Sequence, residues 1–386
     1  MAFTSFNTVS RIVHNWGSIQ ALPDEIKRLG VNAARVLIVS DPGIKAVGIL
    51  DLAASILAGA GLESHTFSGV KSDPAFDVAL AAIAVAREYQ PDMVVGIGGG
   101  SSLDTAKLTA AMLTNADPID RYVGMDLIEK PGVPLILVPT TAGTGSEVTS
   151  ICVLSDTRSQ VKKGIVSPYL YARTVLLDPE LTTGMPPHIT ATTGMDALVH
   201  AIESFTGKRA TVFTDALNIQ AIELVGANLR KAYRDGTDRT ARENMLFASC
   251  ITGMAFSNTQ NGLDHALALA LGGKYHLPHG LLTAFICPWM MEFNLVGAPE
   301  KYARIARALG EDTTGMPAVA AAKLAVKAVR SLLVDLNISP RLSAHGIPND
   351  EFPAIAKATV GAARLISNNP RDVTVEDVVA LLEANY

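Results

Sequence analysis

Between residue 34 and about residue 150, apolar positions fall into two alternating kinds of run. Short β-branched stretches, ARVLIVSD at 34–41, HTFSGV at 65–70 and MVVGIGGG at 93–100, alternate with Ala-rich stretches, KAVGILDLAASILAGAG at 45–61 and FDVALAAIAVAREY at 76–89. The Ala-rich stretches have helical spacing, so the pattern predicts βαβ units and a mostly parallel, Rossmann-like sheet. Ligands are then expected at the carboxyl ends of the strands. Past a Pro-rich stretch at 176–187 the strand signals fade, and residues 215–233, 239–256, 299–309 and 317–337 carry apolar positions at helical spacing. A last helix is predicted to begin at Thr374, with Asp377 completing a capping box. The expected organisation is therefore an α/β N-terminal domain over 1–184 and an all-α C-terminal domain over 185–386, with no internal repeat.

Composition narrows the class. A chain of 386 residues, 48% hydrophobic and 18% charged, can bury more than one core. Apolar runs such as ALAAIAVA stop short of the about 20 residues that cross a bilayer, and MAFTSFNTVSR has no signal-peptide apolar region, so the expectation is a cytoplasmic protein with no membrane partner. A net charge of −5 without a Lys or Arg cluster argues against a nucleic-acid partner and for small molecules. Cys152, Cys250 and Cys287 are too scattered for a disulfide framework or a CxxC knuckle, and are expected to be buried thiols.

Two patterns carry chemistry. The stretch GIGGGSSLDTAK, 96–107, follows a strand and opens a helix; Gly98, Gly99 and Gly100 let the backbone approach an anion, which the helix amides attract. With Ser at 101 it is neither GxGxxG nor a P-loop. Asp41, ending its strand, can bond ribose hydroxyls and repel a 2′-phosphate, which favours NAD over NADP, although Asp41-Pro42-Gly43 is also a good turn. In PTTAGTGSEVT, 139–149, the hydroxyls of Thr140, Thr141 and Thr144 suit a nucleotide contact. The second pattern is one carboxylate with three imidazoles. In GMDALVHAIE, Asp196 and His200 share a helix face, and His265 and His279 lie on separate downstream elements. Such N/O donors suit Fe(II), Zn, Mn or Ni.

GGGSSLDTAK, TTAGTGSEVT, DPELT, GMDALVHAIE and LPHG stand in the order and spacing of the iron-containing alcohol dehydrogenases, the group III family, which the whole chain resembles. The resemblance implies a dehydroquinate synthase-like architecture, with NAD(P) and a divalent metal in the cleft between the domains. It implies Fe(II), or Zn, on Asp196, His200, His265 and His279. It carries pyrophosphate contacts onto Gly98, Gly99, Gly100 and Ser101 with Asp104 nearby, and nucleotide contacts onto Thr140, Thr141 and Thr144. Lys162 matches a lysine near the nicotinamide ribose, and Phe256 an aromatic near the nicotinamide. The implied activity is that of a metal-dependent, NAD-linked alcohol dehydrogenase or aldehyde reductase, expected as a homodimer or higher homo-oligomer. In such an enzyme the ion acts as a Lewis acid on the alcohol oxygen and hydride passes to the nicotinamide.

Three departures qualify the match. Leu269 stands where many members have a second histidine that relays protons, which leaves His276 or water for that role. Asp264 replaces an uncharged residue, as a partner of the ligands or a solvent-facing group. Trp289 replaces a frequent histidine and points to a more apolar substrate pocket. Two other readings compete: a lyase or cyclase of the dehydroquinate synthase type that uses NAD transiently, and a metallohydrolase with the same ligands.

Overall fold

In the computed structural model of the protein, residues 5–30, 34–71, 74–156 and 161–386 are described. They form two compact units, Asn7–Gly184 and Met185–Tyr386; Ser5 and Phe6 group with the second, where the Phe6 ring lies 6.2 Å from that of Phe213.

The first unit is built on a parallel sheet. Its strands are β1 (Ile12–His14), β2 (Arg35–Val39), β3 (Glu63–Phe67), β4 (Met93–Gly98), β6 (Leu135–Pro139) and β9 (Thr174–Leu177), ordered β1-β9-β6-β4-β2-β3. Every residue of β4, β6 and β9 is buried, as expected of strands covered on both faces, whereas the polar β3, ESHTF, sits at the edge. The helices of this unit are α1 (Leu22–Arg28), α2 (Pro42–Ala46), α3 (Ile49–Gly59), α4 (Phe76–Tyr89) and α5 (Gly100–Met112). Val36, Ile38, Val95 and Ile97, alternate residues of β2 and β4, pack with Leu22 and Leu57 of α1 and α3. A separate cluster joins Ile83, Leu108 and Met112 of α4 and α5. The helix predicted over 45–61 is two: Asp41 caps α2 four residues earlier, and the chain turns left-handed at Gly48 before α3.

A second sheet was not anticipated. Strands β5 (Gly124–Met125), β7 (Ile151–Asp156) and β8 (Val161–Val166) lie in the order β5-β8-β7, with β7 and β8 antiparallel. The lysine pair and glycine of VKKGIV hide its strand character.

The second unit is helical: α6 (Pro187–Thr206), α7 (Val212–Arg234), α8 (Arg239–Thr259), α9 (Leu263–Tyr275), α10 (His279–Asn294), α11 (Pro299–Ala308), α12 (Ala318–Asp335), α13 (Phe352–Gly361), α14 (Ala363–Ile366) and α15 (Val375–Ala384). The predicted capping box is present at α15, where the Thr374 hydroxyl accepts from the Asp377 amide at 3.1 Å and Asp377 accepts from the Thr374 amide at 3.0 Å. One expectation needs correction. His279–Gly297 is a 19-residue stretch long and apolar enough to cross a membrane, so not every apolar run falls short; 67% of its window is buried within the protein, which makes it a core helix of this unit.

Candidate active site

In the helical unit, α6 supplies Asp196 and His200 one turn apart, α9 supplies His265 from its first turn, and α10 opens on His279. Gly280 is needed for this approach, because a Cβ there would stand 2.7 Å from the Thr192 carbonyl oxygen of α6. Ligand atoms of Asp196, His265 and His279 all lie within 4.8 Å of one another. Both His265 Nε2 and His279 Nε2 are 3.8 Å from Asp196 Oδ1. Donors each about 2.1 Å from one ion at a tetrahedral angle stand about 3.5 Å apart, so the three are spaced for a metal and too far apart to hydrogen-bond. His265 Nε2 is buried without a hydrogen-bond partner, as a nitrogen reserved for an ion would be. Thr283 steadies the carboxylate, its hydroxyl donating to Asp196 Oδ1 at 3.0 Å.

His200 stands beside this trio. Its Nδ1 is 3.8 Å from Asp196 Oδ2, and its ring lies 4.4 Å from that of His265. Phe256 of α8 stacks on the His200 ring at 4.3 Å, which brings the aromatic to the ligand cluster. His276 is exposed at the C-cap of α9, three residues before His279, and Leu269 is half-buried one turn beyond His265.

Two carboxylates around His265 change the picture. Glu203, within the quoted GMDALVHAIE yet unremarked in it, is a buried neighbour of the ligands: its Oε2 is 2.6 Å from His265 Nδ1 and its Oε1 accepts from the Asp264 amide at 2.6 Å. Its position seven residues after Asp196 on one helix face is the signal that could have found it. Asp264 does not face solvent; it is 1% exposed, and burial, with Glu203 and Asp196 close by, pushes its carboxyl well above the usual range. Trp289, on which the expectation of a more apolar pocket rested, stands away from the candidate ligands. It lies ten residues along α10 from His279, about 15 Å by helix rise, packs 5.5 Å from Phe285 and lines a separate cavity of 490 Å³ with Arg330, Arg341 and Asn385.

In the first unit, the glycine turn and the threonine loop come together. Asp41 at the end of β2 lies against Gly98 at the end of β4. A Cβ on Gly98, which has φ 145°, would stand 2.7 Å from Ser102 and 3.0 Å from Asp41 Oδ2. Asp41 serves both readings: Oδ1 caps α2 through the amides of Gly43 and Ile44, while Oδ2 accepts from Ser102 at 3.0 Å at the mouth of the turn. Gly99 is the N-cap of α5 and supplies no side chain, so Gly100, Ser101 and Ser102 begin the helix without a side-chain cap. Thr141 and Thr144 flank Gly99 and Gly100, and Thr140 Oγ1 is buried without a partner. An uncapped helix start beneath an unsatisfied hydroxyl fits a phosphate-bearing ligand.

Asp104 has another visible task. Its carboxylate accepts from Ser146 at 2.6 Å, Lys107 at 3.1 Å and the Val153 amide at 2.9 Å, tying α5 to the loop after β6 and to β7. Lys107, fully buried, also donates to Thr149 at 3.0 Å and to the Ile151 carbonyl at 2.7 Å. Lys162 lies on β8 opposite Ser155. Glu147 is buried, and desolvation raises its carboxyl to about 7, against a lesser pull from its own amide and from Lys107. All three cysteines are buried and free, as expected.

A parallel sheet ending in a glycine turn, and a carboxylate–imidazole cluster in a helical unit, match the arrangement of metal- and dinucleotide-dependent oxidoreductases. Family comparison makes this specific: residues 9–179 match iron-containing alcohol dehydrogenase and residues 190–386 match the C-terminal part of the Fe-containing alcohol dehydrogenase family, so the chain belongs to that family. A sulfoacetaldehyde reductase from Bilophila wadsworthia is 45% identical over 388 residues, covering 100% of both chains. A 1,3-propanediol dehydrogenase from Klebsiella pneumoniae is 37% identical, again over 100% of both. The solved alcohol dehydrogenase from Oenococcus oeni superposes with a TM-score of 0.96 at 32% identity over 100% of both chains. The protein is thus an oxidoreductase of alcohols and aldehydes, and nothing in its relatives supports the lyase or hydrolase readings.

Proposed function

We propose that the chain is an NADH-dependent reductase of a short anionic aldehyde of the sulfoacetaldehyde type, with iron(II), or zinc, as its metal. The observation that carries the proposal is full-length identity of 45% to a sulfoacetaldehyde reductase, against 37% to a propanediol dehydrogenase. Asp196, His265 and His279 would hold the ion with His200 as fourth ligand, and the glycine turn with Thr140, Thr141 and Thr144 would hold the dinucleotide. When bound, the ion supplies Lewis acidity toward the aldehyde oxygen and the nicotinamide supplies the hydride. The chain's own part is to orient and to exclude water. Phe256 closes one side of the ligand cluster, Asp41 selects against a 2′-phosphate, and His276, open to solvent three residues before His279, takes the proton-carrying role that Leu269 cannot.

A sulfonate calls for a cation. Arg364, exposed on α14 with Arg209 as a like-charged neighbour, is tied to α8 through Gln260. With its amide rotated to satisfy both groups, Gln260 accepts from Arg209 at 2.9 Å and donates to the Arg364 carbonyl at 3.1 Å, and its own amide nitrogen caps α8 on the Phe256 carbonyl oxygen. The test is kcat/KM for sulfoacetaldehyde and for acetaldehyde with NADH and with NADPH. The expected preference is about tenfold or more for the sulfonate, roughly the worth of one charge-assisted contact, and for NADH. Equal use of both aldehydes contradicts the proposal.

A further inference from the structure

We infer that Glu203 is a positioning residue for the metal centre, its carboxylate holding His265 in the Nδ1–H tautomer so that Nε2 presents a lone pair beside Asp196 Oδ1. The inference rests on reading Asp196, His265 and His279 as metal ligands. It goes beyond that reading by asking what decides whether His265 can ligate at all.

A neutral imidazole has one N–H and one bare nitrogen, and only the bare one can bind a metal. Glu203 is 9% exposed, and its two oxygens meet two different donors at 2.6 Å each, His265 Nδ1 and the Asp264 amide. With Oε1 accepting from the Asp264 amide and Oε2 facing Nδ1 at 2.6 Å, the pairing is closed by a proton on Nδ1. The opposite nitrogen, Nε2, is then bare, and it is the one that is buried without a hydrogen-bond partner. Its 3.8 Å separation from Asp196 Oδ1 rules out a bridge between two carboxylates and leaves a gap of the right width for an ion. Both ends of Glu203 are anchored in the same turn of α9, so the contact sets ring orientation as well as tautomer. A glutamine cannot replace it. Its single acceptor oxygen serves one donor, and its NH2 then faces the other, which either displaces the Asp264 amide or turns His265 to the Nε2–H form that cannot ligate.

The inference is tested by comparing Glu203→Gln with the parent protein, titrating metal-stripped samples with Zn(II) under a competing chelator and recording Co(II) d–d spectra. Loss of such a partner costs about 10- to 100-fold in affinity. A zinc affinity weakened about threefold or more, with shifted Co(II) bands, supports the inference; a smaller change overturns it. Should Glu203→Gln not fold, 15N–1H correlation spectra of the metal-stripped parent decide instead, with His265 assigned by its loss in His265→Asn. A proton on Nδ1 supports the inference and a proton on Nε2 overturns it. If His265→Ala also keeps full zinc affinity, the ligand reading itself fails; if His265→Ala loses zinc while Glu203→Gln keeps it, only the role of Glu203 fails.

Discussion

At the scale of single residues, the most consequential groups are buried charges. Glu147 illustrates the energetics. Its folded carboxyl titrates near 7, above its ordinary value, so the folded state holds a proton that the unfolded chain releases at lower pH. Stability therefore falls as pH rises from the unfolded value to about 7, and the full loss, about 3 kcal/mol, is present above that. Glu147→Gln removes the ionisation, so the variant should exceed the parent in stability by up to ~3 kcal/mol at about pH 8 and match it near pH 4. Chemical denaturation at both pH values checks this, and an equal difference at the two would count against it. Burial of Glu147 was hidden in the sequence, and that of Asp264 was left open beside a solvent-facing reading, because charged residues are ordinarily exposed; Glu203 had only its helical spacing from Asp196 to mark it.

At the scale of elements, local chemistry was the readable part. The α4 boundaries and the Thr374–Asp377 capping box follow from periodicity and cap residues alone. The split between α2 and α3 did not, because Asp41 captures the start of a helix while its strand signal dominates the window. Strand β5 has only two residues and β8 carries two lysines, and β5 pairs with β8 far along the chain, Gly124 opposite Ile165, which no local pattern announces. The tie between elements is Lys107, whose ammonium joins Asp104, Ser146, Thr149 and the Ile151 carbonyl. Lys107→Met leaves those acceptors without their donor, and is expected to cost about 3–5 kcal/mol and to weaken NADH binding by loosening the threonine loop against α5. Urea unfolding and NADH fluorescence titration check it; a loss under about 0.5 kcal/mol would refute the tie.

At the scale of the whole molecule, motif order carried more than any single motif. Asp196 and His200 alone are one helical face, and the glycine turn alone is a tight corner; together they specify a family and an activity. The cluster of candidate ligands Asp196, His265 and His279 was legible because each is a chemically unusual residue on an apolar element. The substrate pocket was not, since Trp289 lies elsewhere on α10 and pocket walls come from side chains with no distinctive spacing.

The central claim, metal-dependent reduction of an anionic aldehyde, is tested most directly by titrating metal-stripped protein with Fe(II) under anaerobic conditions while NADH oxidation by sulfoacetaldehyde is followed. Activity is predicted to rise from near zero and to break at one equivalent per chain; full activity in the stripped protein, indifferent to added iron, would contradict the account.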